Sequence, residues 1–182
     1  MTLGHRRGPA TMAWAWPPCD VGLQPMGARH LRGVAAVERA TSPRPWPPAT
    51  FRRELEDPAT RRYVVACLAW PRRRPIGKVV GFAGMQARPE ATHVTNIAVA
   101  PGQQRRGVGA ALLAWLLATA AELGHEAVTL EVRAGNDAAR RLYARAGFQE
   151  VGMRPGYYRQ PEEDAVIMWL ALAGAARPGG AR

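Results

Sequence analysis

A β-rich segment that leads through a short loop into a long apolar helix constrains the fold of this chain most. His93–Val99 has the composition of a strand, and Gly107–Leu123 has that of a buried helix, which Gly124 ends. A strand that feeds a helix in this way is typical of a sheet covered by helices. The chain is therefore expected to be an α/β protein.

The other segments continue this alternation. Strands are also predicted over Val21–Pro25, Tyr63–Trp70, Lys78–Arg88, Ala127–Val132, Phe148–Arg154 and Ala165–Leu172. Helices are predicted over Leu31–Thr41, Pro48–Glu56 and Asn136–Ala146, the last with Asn136 as its N-cap and Gly147 as its end. The last two strands are expected to flank a polar connection. This order predicts one domain with a mixed central β-sheet flanked by helices.

Length and composition agree with one folded domain. The chain has 182 residues, of which 47% are hydrophobic, enough to bury a core. Its longest apolar run, Val108–Leu123, contains Glu122 and is shorter than a bilayer span, so no transmembrane helix is predicted. Cys19 and Cys67 lack metal or redox spacing, which favours a reducing cytoplasm over a disulfide framework.

The net charge of +11 comes from arginine, since Lys78 is the only lysine. The arginines are scattered along the chain rather than gathered on one helix. We therefore interpret the charge first as the composition of a GC-rich genome. Affinity for nucleic acid or ribosomes is the alternative.

The two ends of the chain differ from the middle in composition. Residues 1–18 mix Gly, Pro, Arg and Trp without a period, and prolines interrupt any stretch that could serve as a secretory signal. Residues 173–182 are rich in Gly, Ala, Pro and Arg. We expect a disordered extension over 1–18, a folded domain over 19–172 and a flexible tail over 173–182.

The turn before the long helix has the features of an anion site. Gly107 and Gly109 lack a Cβ, so a ligand can approach the backbone there. The first N–H groups of a helix have no partner within the helix and attract anions. Arg105 and Arg106 add positive charge. An ordinary Gly-rich turn with solvated arginines is the alternative.

The string Gln104-Arg105-Arg106-Gly107-Val108-Gly109 resembles the acetyl-CoA pyrophosphate signature of the GCN5-related N-acetyltransferase (GNAT) superfamily. The resemblance implies acetyl-CoA as co-substrate and no metal. It also implies that backbone N–H groups bind the pyrophosphate and that the preceding strand pairs with the pantetheine arm. The cofactor residues implied are Ile97, Ala98, Val99, Gln104, Arg105, Arg106, Gly107, Val108, Gly109, Ala110 and Asn136.

Acetyl transfer to an amine needs a base to deprotonate the amine and a group to protonate the departing thiolate. Glu131, on the strand after the long helix, and Tyr143, on the next helix, suit these two proton roles. Taken singly, each residue also has a structural interpretation. Glu131 could pair with Arg133 in solvent, Tyr143 could pack near Phe148, and Asn136 could be only an N-cap.

A longer set of motifs resembles the RimI-type branch of the superfamily, the ribosomal-protein alanine N-acetyltransferases. The matching strings are Asn96-Ile-Ala-Val, Leu130-Glu-Val-Arg, Asn136-x-x-Ala-x-x-Leu-Tyr143, Gly147-Phe148, Gly156-Tyr-Tyr158 and Glu163-Asp-Ala165. The resemblance implies Glu131 as general base, Tyr143 as general acid, Asn136 as a cofactor contact and a protein N-terminal alanine as acceptor. It also implies direct transfer without an acyl-enzyme.

The peptide groove is expected to involve Trp46, Asn96, Tyr157 and Tyr158. Glu38, Glu90, Glu163 and Asp164 are candidates for contacts with a basic peptide, although each could be a solvated charge. Cys67 and His93 are interpreted as strand residues rather than catalysts.

Three functions remain to be separated. The first is N-terminal acetylation of a protein, with a ribosomal protein as the expected acceptor, in the cytoplasm. The second is acetylation of a lysine side chain, a polyamine or an aminoglycoside. The third is a basic ribosome- or RNA-binding module without catalysis. No membrane partner is expected, nucleic acid is expected to be met only through the ribosome, and a monomer is favoured.

Overall fold

The computed structural model describes residues 21–68, 77–89 and 91–172. Its strands are β1 (Val21–Pro25), β2 (Arg61–Leu68), β3 (Val79–Gln86), β4 (Thr92–Val99), β5 (Ala127–Arg133), β6 (Gln149–Arg159) and β7 (Glu162–Ala171). Its helices are α1 (Leu31–Thr41), α2 (Pro48–Leu55), α3 (Val108–Glu122) and α4 (Asp137–Arg145), with short 3-10 turns at Ala28–His30 and Pro101–Gln103. The predicted order of strands and helices is confirmed.

The seven strands form one sheet in the order β1-β2-β3-β4-β5-β7-β6. Every neighbouring pair is antiparallel except β4 and β5, which are parallel. The parallel register covers only Thr92 with Val128 and His93 with Thr129. The sheet is therefore continuous at one end of this strand pair and open at the other.

Alternation along the strands supplies two hydrophobic layers, one on each face of the sheet. In β2, Val64 and Ala66 join the layer beneath α3 and α4, whereas Tyr63 and Val65 join the layer beneath α1 and α2. This arrangement confirms the predicted α/β class with a mixed sheet flanked by helices.

α3 lies in the first of these layers because it is apolar around most of its circumference. Its buried residues include Val108, Leu112 and Leu116. The absence of a side chain at Gly81 on β3 lets α3 come close. A Cβ built there would lie 3.1 Å from Leu112 Cδ1 and 3.3 Å from Val108 Cγ1. The N-terminus of α3 is thus packed against the sheet near the opening between β4 and β5.

The sequence-based prediction located the last two strands but made both of them too short. The segment expected to be a polar connection continues both strands, which meet in a tight turn at Gln160-Pro161. β6 is an exposed edge strand, so it has no apolar alternation for the sequence to reveal. Its register with β7 is irregular between Arg154 and Tyr158. This interval contains Pro155, which cannot donate to a ladder, and Gly156, whose φ is +59°.

Some predictions fall outside the described residues. These are the N-terminal extension 1–18, the tail 173–182, the end of the predicted strand at Ala69 and Trp70, and Glu90.

Candidate active site

The opening between β4 and β5 lies next to the turn that carries Gly107. Ile97, Ala98 and Val99 pair with β3 on one side, opposite Ala83, Phe82 and Gly81. Beyond His93, the register of β4 with β5 has ended, so the other side of these residues faces the opening. An edge of strand backbone in an open sheet can pair with an extended ligand.

The turn into α3 takes the conformation of an anion cradle. Arg105 and Gly107 have positive φ, 62° and 84°. Gly107 is the N-cap of α3 and supplies no side-chain hydrogen bond, and the first turn contains no acidic residue. The first amides of α3 are thus left to an anion. An extended group in the opening and a phosphate at this turn would suit a CoA thioester.

Gln104, predicted to contact the cofactor, also has a structural role. Its Nε2 donates to the carbonyl oxygen of Val99 at 3.0 Å and ties the turn to β4. Arg106 bonds Gln103 Oε1 at 2.8 Å.

Glu131 faces the α1/α2 side of the sheet because the strand alternates. Val128, Leu130 and Val132 of β5 are buried in the α3/α4 layer, so Glu131 points the other way. Its carboxylate is 11% exposed and has a basic group at each oxygen. Oε2 lies 3.1 Å from His93 Nε2, and Oε1 lies 3.1 Å from Arg154 Nη1.

His93 is the residue of this site that sequence reasoning missed. Its Nδ1 lies 3.2 Å from Thr129 Oγ1, so both ring nitrogens are engaged. Burial lowers the pKa of His93, and Arg88 and Arg154 lower it further against the opposing effect of Glu131. A neutral ring that accepts from Thr129 at Nδ1 carries its proton on Nε2, the nitrogen that faces Glu131 Oε2. No sequence signal could have shown this, because the two strands meet only in the folded sheet.

Tyr143 lies on the inner face of α4 and is 8% exposed. Its ring packs against Phe148 at 5.8 Å between centroids. Burial raises its pKa, and Tyr158 raises it further, so the phenol stays protonated at neutral pH. Its hydroxyl has no hydrogen bond to another described residue.

Asn136 is the N-cap that the sequence predicts. Its Oδ1 accepts from Ala139 N at 3.1 Å. The neighbouring Gly135 N donates to Glu163 Oε1 at 2.6 Å, and the other oxygen of Glu163 lies 3.0 Å from Arg133. The loop between β5 and α4 is therefore bonded to β7.

Tyr157 and Tyr158 lie at the end of β6, one exposed and one half-buried. Tyr158 donates to the carbonyl oxygen of Glu131 at 3.4 Å, and the Arg133 guanidinium lies 4.0 Å from the centre of its ring. The two tyrosine rings are perpendicular, with centroids 5.1 Å apart. The β6–β7 hairpin thus brings aromatic surface beside the strand that carries Glu131.

Trp46 and Asn96 approach from the α1/α2 side. Trp46 packs on Phe51, in the same layer as Ala98 of β4. The backbone N–H of Trp46 donates to Glu38 Oε1 at 3.1 Å, and burial raises the pKa of the Glu38 carboxyl. Asn96 Oδ1 is buried without a hydrogen-bond partner.

Three of the four acidic residues suggested as peptide contacts lie in the described part of the chain, and each is already bonded within the protein. The bonds of Glu38 and Glu163 are given above, and Asp164 accepts from Gly156 N at 2.8 Å. Cys67 is buried in the α1/α2 layer, and burial raises the pKa of its thiol.

A separate cleft of about 580 Å³ lies between β1, α2 and β2. None of the predicted site residues lines it. In the described ranges, no group of three or more His, Cys, Asp or Glu side chains could hold a metal ion. No helix in the part of the chain that the structure describes is long and apolar enough to span a bilayer.

Comparisons with known proteins agree with this geometry. The acetyltransferase (GNAT) family model matches residues 31–148. The N-alpha-acetyltransferase RimI of Mycobacterium tuberculosis is 44% identical over 128 residues, which cover 68% of this chain and 74% of that protein. The ribosomal protein bS18-alanine N-acetyltransferase of Escherichia coli is 41% identical over 99 residues, covering 53% of this chain and 67% of that one.

Solved structures give the same result. The crystal structure of the ribosomal-protein alanine N-acetyltransferase from Escherichia coli has a TM-score of 0.73 and 30% identity, covering 86% of this chain and 96% of that chain. The chain therefore belongs to the acetyltransferase (GNAT) family, is an N-acetyltransferase, and within that family is similar to the RimI-type enzymes.

Proposed function

We propose that this enzyme transfers the acetyl group of acetyl-CoA to the α-amine of a protein N-terminus, and that its acceptor is the N-terminal alanine of ribosomal protein bS18. The observation that carries the proposal is the place of Glu131, a nearly buried carboxylate beside the opening between β4 and β5. The names of the RimI-type relatives support the choice of acceptor. Since ribosomal proteins are made in the cytoplasm, we assign the enzyme to that compartment.

Acetyl-CoA supplies a thioester whose acetyl group an amine can take. We assign the pyrophosphate to the amides from Arg105 to Ala110, and the extended arm to the backbone of β4 from Ile97 to Val99. Arg105 and Arg106 add positive charge, and Gln104 fastens the turn to β4. Asn136 shapes the start of α4 through its cap and could offer its amide nitrogen to the cofactor.

Two side chains carry the protons. An α-amine has a pKa near 8 and is mostly protonated at neutral pH, so a base has to remove a proton before it attacks. We assign this role to Glu131. Tyr143, a buried phenol with a raised pKa, holds the proton that the departing sulfur needs. Holding both reactants in the opening supplies much of the remaining acceleration.

We assign the acceptor to the α1/α2 side of the sheet, between Trp46 and the Tyr157–Tyr158 pair, with Asn96 Oδ1 available to a peptide N–H. A single α-ammonium fits this side better than a polyamine or an aminoglycoside. Those acceptors bring several cations, whereas Arg154 already lies beside Glu131.

Turnover on synthetic peptides tests the proposal. The panel contains a peptide that begins with alanine as in bS18, the same peptide with a blocked α-amine, and a blocked peptide with an internal lysine. Mass spectrometry locates the acetyl group. We expect acetylation of the free α-amine only. Modification of the lysine peptide would preserve the reaction class and overturn the acceptor. Acetyl-CoA binding without turnover on any of them would overturn the proposal.

A further inference from the structure

The two oxygens of Glu131 have different surroundings. Oε2 contacts His93, whose side chain is 12% exposed, whereas Oε1 contacts Arg154, whose side chain is 54% exposed. Each carboxylate oxygen has two lone pairs, but an amine that transfers its proton to Glu131 has to approach one of these oxygens closely, beside the group already there. The two contacts differ in how readily they can make room.

The His93 side is anchored. His93 and Thr129 form the last register pair between β4 and β5, so their backbones are held by the sheet. Their side chains meet as well, at 3.2 Å between Nδ1 and Oγ1. The ring is thus fixed at both nitrogens and by the ladder beneath it.

The ion pair between Arg154 and Glu131 can be replaced by another cation more readily. Arg154 lies on the exposed edge strand β6, where the regular register with β7 ends. A long, solvated arginine side chain makes an ion pair of small net free energy, because holding it still costs conformational entropy. Its charge is that of an ammonium, so an incoming α-ammonium can replace it without leaving Glu131 unpaired.

We propose that His93, oriented by Thr129, is a positioning residue that holds Glu131 by Oε2, so that Oε1 receives the proton of the acceptor's ammonium after that ammonium displaces the guanidinium of Arg154. This inference rests on the proposed function, in which Glu131 is the general base. One proton moves, from the ammonium to Oε1, which leaves a neutral amine and a carboxylic acid. The N–C bond to the acetyl carbon then forms as the C–S bond breaks, and the sulfur takes the proton of Tyr143. The second proton that leaves the nitrogen returns to the Tyr143 oxygen through water, and Glu131 releases its proton to solvent, so that one proton is released for each acetyl group transferred.

His93 acts here through its N–H and not through its charge. Burial lowers its pKa, and the charged groups that act on it are Glu131 of β5, Arg88 and Arg154 of β6. A glutamine at position 93 can place an amide N–H near the same carboxylate oxygen, but an alanine cannot. This difference separates a positioning role from a loss of packing.

Steady-state kinetics of the full chain with the alanine-terminated peptide test the inference. The variants are His93→Ala, His93→Gln, Thr129→Val and Arg154→Ala. Arg145→Ala, which removes an exposed arginine from the last turn of α4, is the matched control. Acetyl-CoA binding and the urea midpoint identify any variant that fails to fold.

We expect His93→Ala to lower kcat about tenfold with little change in the KM for acetyl-CoA, as for loss of one hydrogen bond to a charged group. His93→Gln should recover much of that loss, and Thr129→Val should fall between them. Arg154→Ala should lower the KM for the peptide about two- to fivefold, since an exposed competing ion pair is removed. Arg145→Ala should leave that KM as it is.

Three results would overturn the inference. The first is a wild-type kcat in folded His93→Ala. The second is an equal loss of kcat in the alanine and glutamine variants. The third is a higher peptide KM in Arg154→Ala, which would make Arg154 a substrate contact. Glu131→Gln separates this failure from that of the proposed function. If Glu131→Gln keeps full activity, the general base itself is wrong. If Glu131→Gln is inactive while the His93 variants match wild type, only the present inference fails.

Discussion

Tyr143 keeps its proton because its ring is buried between α4 and the sheet, where water cannot solvate a phenolate. Burial is the largest cause of its raised pKa, and Tyr158 adds to it. Tyr143→Phe keeps the packing against Phe148 and removes only the hydroxyl, which we propose as the general acid. We expect kcat/KM to fall roughly 100-fold, in the range of general acid catalysis, with an unchanged urea midpoint. Steady-state rates and urea unfolding check this. An active Tyr143→Phe would show that another group or water protonates the thiolate.

Glu131→Gln is the matching substitution on the other side of the reaction. The amide keeps the size of the side chain and can still meet His93, but it cannot take a proton. We expect roughly a 100-fold or greater loss of kcat. Acetyl-CoA binding should be retained, because the turn that we propose as the pyrophosphate site lies on another element. Rates measured beside acetyl-CoA titration calorimetry decide this. If acetyl-CoA binding and rate fall together, the substitution has damaged the fold instead.

At the scale of elements, the turn into α3 depends on one backbone conformation. The φ of Gly107 is +84°, which costs an alanine about 1–2 kcal/mol. Gly109 has room for a Cβ, which would lie 3.5 Å from Leu142 Cδ2. We expect Gly107→Ala to lower the free energy of unfolding by about that amount and to weaken acetyl-CoA binding. Gly109→Ala should have a smaller effect on both the free energy of unfolding and the affinity for acetyl-CoA. Urea unfolding and calorimetry compare the pair. Equal effects in the two variants would contradict the role of the left-handed turn.

β2 and β3 meet where the Tyr63 ring covers Gly84. A Cβ at Gly84 would lie 2.0 Å from Tyr63 Cε1, so the ring would have to leave its hydrogen bonds to Glu54 and Thr95. We expect Gly84→Ala to cost about 3 kcal/mol of unfolding free energy. Gly22→Ala in β1, where nothing lies within 4 Å of a built Cβ, is the control. The urea midpoints of the two variants give their stabilities. A Gly84→Ala midpoint equal to that of Gly22→Ala would contradict the close packing of the Tyr63 ring on Gly84.

For the molecule as a whole, one buried and one largely buried histidine, His30 and His93, make stability depend on pH. Burial lowers the pKa of both His30 and His93, with Arg29 adding to the effect at His30. The unfolded chain then binds more protons than the folded one below the ordinary histidine pKa of 6.5. The free energy of unfolding that the two neutral histidines contribute is therefore fully present above the ordinary histidine pKa. It is lost as the pH falls through the lower pKa values of the folded state.

We therefore expect the urea concentration at the unfolding midpoint to fall as the pH is lowered from about 8 to about 5.5. The fall should be smaller in His30→Gln, because this substitution removes one titrating ring. Glu38, whose pKa burial raises, favours the folded state as it takes up a proton in acid. Comparing wild type with the variant at each pH cancels that contribution. Parallel pH dependences of the two proteins would show that His30 does not titrate on unfolding.

The sequence by itself determined the order of strands and helices and the glycine-rich turn before α3. These depend on local rules: apolar periodicity, a helix cap at Asn136 and a glycine at a left-handed position. The proposed roles of that turn, Glu131 and Tyr143 came from the resemblance of their motifs to a family. Only the tertiary structure decided that β4 and β5 are parallel neighbours that separate after His93 and Thr129. It also decided that Arg154 of an edge strand reaches Glu131 and that β6 continues past Pro155. Those contacts join residues tens of positions apart, and the exposed edge strand has no apolar alternation, so no local pattern in the chain encodes them.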